Sequence, residues 1–268
     1  MTATTPTSVR TWTSPAGWST VARQEIGELW LSSKGLAVLF GYSLLLALLA
    51  YIASADAGIN LLDARESVGV IVQTAIGLGT LAALVVSADA ISGERERGTL
   101  EALLVTPVSR RSLVIGKLVA ATTMWVATLV VALPFVAVMA DGPGVAGDAI
   151  LVLVIAGGLV AAALTALGLA ISSIAMSNRV SLAAAVAVLL VLAAPSQLPG
   201  VKANSALGSV LIKANPVSAG LKMANNVLVD QQPWTDQTAY LISPIVAAVA
   251  LTALAVTLSK RLELGGAR

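Results

Sequence analysis

Cysteine and histidine are both absent from the 268 residues. That removes disulfides, thiol nucleophiles, histidine-based triads and the usual zinc, copper and haem ligands. Charge is scarce too, with Asp, Glu, Lys and Arg making up 11% of the chain, against about 25% in soluble domains. Hydrophobic residues reach 57% and the mean hydropathy is +0.90, which marks an integral membrane protein. The pI of 9.1 does not point to nucleic acid, because the net charge is only +2 and the basic residues flank apolar runs rather than forming one patch.

Familiar chemical motifs are missing as well. A phosphate-cradling GxxxxGK[ST] loop would need a glycine where Arg111 stands and a hydroxyl where Leu118 stands, so Gly116-Lys117 is no ATP site. Gly77-Leu78-Gly79 lies in an apolar run, not between a strand and a helix, and is no dinucleotide fingerprint. No pair of carboxylates falls within an apolar run, which argues against an intramembrane aspartyl protease and a carboxylate proton relay. No catalytic, metal-binding or cofactor-binding residue is expected in this chain, and energy for uphill movement would come from another subunit.

Six runs meet the requirement of about 20 apolar residues for a membrane span: Gly35–Ala55, Val68–Ala88, Leu113–Ala140, Ala149–Ser177, Val180–Leu198 and Tyr240–Ser259. Without β-barrel alternation they read as helices, giving an all-α membrane protein. The polar stretch 1–17 is expected to be a disordered cytosolic tail, followed by one transmembrane domain over 18–268. Residues 18–33 predict an interfacial amphipathic helix, with Trp18, Ala22, Ile26, Leu29 and Trp30 on one side and Arg23, Gln24 and Glu28 off it. Glu25 projects into the apolar arc, where it either snorkels to water or pairs with Arg95, Arg97 or Arg110.

Placing both termini in the cytosol leaves only Arg65, Lys202, Lys213 and Lys222 of the basic residues outside. The long outer segment, about 199–239, predicts one or two short helices, Pro216 lying near a helix start. They form either a lid or docking surface for an extracytoplasmic partner, or a re-entrant or interfacial hairpin that plugs the bundle. Small faces at Gly157, Gly158, Ala162 and Ala163, and at Ala183, Ala184, Ala185 and Ala187, allow close helix packing. Pro134, Pro195 and Pro244 read as kinks. Gln73, Thr74 and Thr165 either line a path or make interhelical hydrogen bonds.

The organising stretch is Asp89 to Lys117. Glu94, Arg95, Glu96 and Arg97 would each cost roughly 2.5–3.5 kcal/mol at a bilayer centre and must lie outside it. Gly98 gives a break, Thr99 offers a cap, and Leu100 to Val105 forms a short helix that Thr106-Pro107 ends. Leu100, Leu103 and Leu104 share one face with Glu101 beside it. Ser109 offers a second cap before Arg110 and Arg111. On these residues the stretch is either a docking element or a solvated positive-inside loop.

SGERERGTLEALLVTPVSRRSLVIGK resembles the loop between the second and third spans of ABC-2 type ABC-transporter permeases: a repeated acidic-basic pair, Gly-Thr-Leu-Glu, two leucines, a Pro, a basic pair and Gly-Lys. The resemblance implies six spans, an N-terminal interfacial helix with an acidic residue such as Glu25, and a cytosolic coupling helix between spans 2 and 3. It also implies a second permease chain, identical or not, and two separate ATPase subunits that carry the ATP and Mg. The location implied is a prokaryotic plasma membrane, and most such permeases are exporters. The residues implied in ATPase coupling are Glu94, Arg95, Glu96, Arg97, Gly98, Thr99, Leu100 and Glu101, then Leu103, Leu104, Pro107 and Arg110. On this reading the leucines fill a groove on the ATPase and the charges orient it. An ion-driven secondary transporter or channel would instead show inverted repeats and intramembrane ionisable residues, and neither is evident. A membrane-embedded enzyme would need a catalytic set that the chain lacks.

Overall fold

The computed structural model describes residues 17–58, 64–106, 108–197 and 206–261. Helices account for nearly all of them, and no strand occurs among the described residues. α1 (Gly17–Leu31) leads through a bend at Ser32 into α2 (Ser33–Gly58). α3 (Ala64–Asp89), the short α4 (Ser92–Arg97) and α5 (Leu100–Val105), and α6 (Arg110–Asp141) follow. Then come α7 (Ala146–Ile174), α8 (Asn178–Gln197), α9 (Ala206–Ala214), α10 (Pro216–Leu228), α11 (Trp234–Gln237) and α12 (Ala239–Leu258). Six helices are long and apolar enough to cross a membrane, and they match the six apolar runs. Of the expected tail 1–17, residues 1–16 lie outside the described residues and Gly17 begins α1.

α7 is the centre of the bundle, with α3, α6, α10 and α12 packed on it. Its Val152, Ala156, Val160 and Ala163 are buried, mostly small side chains that let neighbouring backbones come close. Trp125 of α6 fills the space that two glycines leave. A Cβ at Gly79 of α3 or at Gly157 of α7 would come within 2.8 Å of its ring. The small face at Gly157 therefore receives an indole rather than another small face. By contrast α2, α8 and α12 turn large apolar side chains outward, with Phe40 71%, Val191 70% and Val249 67% exposed.

The described part of the 199–239 segment, from residue 206, is not a surface cover alone. Asn215 caps α10 by accepting from Val217 N at 3.0 Å and Ser218 N at 3.2 Å, and Pro216 supplies the first turn. Val217, Leu221, Met223, Ala224, Val227 and Leu228 then join the main core. α10 is a buried plug between α3, α7, α8 and α12. α6, α8 and α12 run helically through Pro134, Pro195 and Pro244. Thr165 donates to Ala161 O of its own helix at 2.7 Å, not across to a neighbour, whereas Gln73 and Thr74 line a cavity with α8 and α10.

Candidate functional site

The charged run between α3 and α6 is fastened to the turn between α7 and α8. Ile91 N and Ser92 N both donate to Ser172 Oγ, at 3.0 and 2.9 Å. Arg95 donates to the carbonyls of Ala175 and, at 3.2 Å, Ser173, satisfying groups that the end of α7 leaves without partners. Glu96 Oε2 accepts from Asn178 N at 2.9 Å, placing a carboxylate on the first turn of α8. Three of the four consecutive charges, Glu94 to Glu96, thus hold the chain's own helices together, and Arg97 is left exposed. α4 ends at Gly98, whose φ of +73° a side chain would strain. Thr99 does not cap α5 as expected. Its hydroxyl donates back to Glu94 O, at 3.3 Å, because the backbone at Thr99 is already helical.

α5 is seated by its leucines. Leu100 is 4% exposed and packs with Ile91, Leu113, Val114, Leu169 and Ala255, while Leu103 and Leu104 lie half-buried on the same cluster. Burying Leu100 alone is worth about 1.5–3 kcal/mol. Leu100 is thus spent against the chain's own spans, while Leu103 and Leu104 keep part of their surface exposed. The outward face consists of Glu101 and Val105, the latter 76% exposed, with Arg97 and Gly98 beside them. Pro107 lies outside the described residues. Ser109 caps α6 as expected, accepting from Ser112 N at 3.1 Å, and Arg110 donates to Lys260 O at 3.3 Å after α12.

Deeper in, Lys117 Nζ lies 2.6 Å from Glu25 Oε1 and 2.6 Å from Glu94 Oε1. Its side chain is fully buried, and those of Glu25 and Glu94 are 17% and 9% exposed. Of the cations considered for Glu25, its partner in the structure is none of Arg95, Arg97 or Arg110 but Lys117, a lysine inside the third span. Gly116 explains how the contact is reached. A Cβ there would sit 2.6 Å from Val21 Cγ1, so α1 touches the backbone of α6 beside Lys117. The Gly-Lys pair, useless for phosphate, is a seat for α1 followed by a cation that ties α1 to α4. Glu94 Oε2 remains buried without a hydrogen-bond partner. Lys117 is the residue that sequence reasoning passes over. Its signal is a lone charge inside an apolar run. Among the described residues no cluster of side chains is disposed to hold a metal ion.

A family model described as "ABC-2 family transporter protein" matches residues 19–264. The chain is also similar to the "ABC transporter permease protein NatB" of Bacillus subtilis (strain 168), 45% identical over 53 residues, which span 20% of this chain and 14% of NatB. With the family model running from α1 to the end of α12, the chain belongs to the ABC-2 family of transporter proteins.

Proposed function

We propose that this chain is the permease subunit of an ATP-driven exporter, working as a pair of permease chains with two separate ATPase subunits that bind ATP and Mg. Both termini face the cytosol of a prokaryotic cell, and the ATPase docks on the outward face of α4 and α5. One observation carries the reading: a short helix held by Leu100, Leu103 and Leu104 against three spans, with Arg97, Glu101 and Val105 left facing outward. A push on that face passes to α6 and α1 through the Lys117 contact and to α7 and α8 through Arg95 and Glu96. The outward direction of transport rests on the resemblance of this loop to permeases that are mostly exporters.

The test replaces Val105 by Asp and Glu101 by Arg, separately, and measures copurification of the ATPase and stimulation of its hydrolysis. A desolvated carboxylate in place of a docked apolar side chain should weaken binding by about 1.5–3 kcal/mol, roughly tenfold or more. Membrane insertion should be unchanged, and Glu101→Arg should act in the same direction but more weakly. Normal ATPase binding and transport in Val105→Asp would overturn the docking assignment.

A further inference from the structure

Beside the Lys117 contact a cavity of about 500 Å³ opens between the end of α1, the start of α2, the end of α3 with α4, and α6. Four carboxylates and three cations line it, which leaves an excess of one negative charge. They are arranged by depth. Lys34, its side chain 69% exposed, and the exposed Arg97 stand at the mouth, while Glu94 lies inside with Oε2 buried and unpartnered. Lys34 lies 4.0 Å from Asp89, whose partly exposed carboxylate also comes near the Arg97 guanidinium over Gly93, so a phosphate entering there joins or displaces it. The wall includes apolar Leu29, Leu31 and Val86, and Leu31 is 91% exposed.

Such a lining fits a ligand with a hydrogen-bond-donating cation at its tip, an anion behind it and an apolar remainder. We propose that the cavity binds the headgroup of an amine-bearing zwitterionic phospholipid, phosphatidylethanolamine in chemistry, from the cytosolic leaflet. Its ammonium donates to Glu94 Oε2, its phosphate lies between Lys34 and Arg97, and its chains run out past Leu31 along α2. The leaflet rests on the orientation proposed above. A lipid with only an anionic headgroup adds negative charge to a cavity already in excess of it and leaves Oε2 without a donor. A quaternary choline has no N–H to give. A bare metal ion has no use for the apolar wall.

The test uses the full-length chain with the subunits that copurify with it, in nanodiscs mixing phosphatidylethanolamine, phosphatidylcholine and phosphatidylglycerol, and reads retained lipid by native mass spectrometry. Phosphatidylethanolamine should be retained over phosphatidylcholine by about tenfold, the worth of one hydrogen bond to a charged group. Glu94→Gln should erase that preference. Arg97→Gln, which leaves the Lys117 contact intact, should lower retention several-fold and keeps the test decisive where Glu94→Gln fails to fold. Equal retention of the three lipids, or retention of phosphatidylethanolamine unchanged in Arg97→Gln, overturns the proposal. Displacement of bound lipid by dissolved phosphoethanolamine overturns the lipid as its source. No arm reads ATPase coupling, so failure here leaves the docking assignment standing, and failure of docking leaves this result unaffected.

Discussion

Lys117 carries one positive charge between two carboxylates where there is little water. Such an arrangement holds only while all three groups are present, since removing one partner of a buried ion pair typically costs about 3–5 kcal/mol. Lys117→Met should therefore lower the thermal unfolding midpoint in detergent markedly. Adding Glu25→Gln and Glu94→Gln to Lys117→Met should recover most of the loss, because the uncompensated charges are then gone. An unchanged midpoint in Lys117→Met would show that the contact contributes nothing to stability. Half of this site was legible in the sequence: a carboxylate in the apolar arc of α1 is expensive, and so is a lysine inside an apolar run. The pairing was not. Glu25 and Lys117 are 92 residues apart, and nothing local distinguishes Lys117 from three nearby arginines as the partner.

At the scale of elements, α1 is held by shape as much as by charge. A side chain at Gly116 would meet Val21 at 2.6 Å and Ala22 N at 3.0 Å, so Gly116→Val has to lift α1 from α6. Overpacking of this kind typically costs about 1–3 kcal/mol. Ala22→Cys, at a position 4% exposed, should react slowly with a thiol reagent, and faster once Gly116→Val is added. Equal rates in both backgrounds would mean that the close approach is dispensable. α5 shows the limit of reading a stripe. The spacing of Leu100, Leu103 and Leu104 reveals an apolar face, yet the same face serves a partner or the chain itself. The choice was made by Ile91, Leu169 and Ala255, supplied by three different parts of the chain. Thr99 illustrates a smaller failure: it has the right chemistry for a cap, but its backbone is already turned into the helix.

In the whole molecule, the count and extent of the spans were legible because each run is long, apolar and bounded by charge. Their arrangement was not. α7 and α12 are similarly apolar, but one is the core of the bundle and the other lies at its edge, with Ile242 and Val249 exposed. The absence of cysteine makes the proposed orientation directly testable. Ser109→Cys should be labelled only from the cytosolic side and Gln232→Cys only from outside, and the reverse pattern would invert the topology. The fastening of α4 to the far turn also sets an order of synthesis. Ile91 and Ser92 await Ser172, which leaves the ribosome some 80 residues later. Until then α4 lacks its fastening to α7, and a nascent chain halted after α6 should expose α4 and α5 to protease. A chain extended past α8 should protect them. On the proposed docking, the ATPase finds its finished seat only after the central helix has been made, and an abandoned fragment is a substrate for degradation rather than a competitor for ATPase.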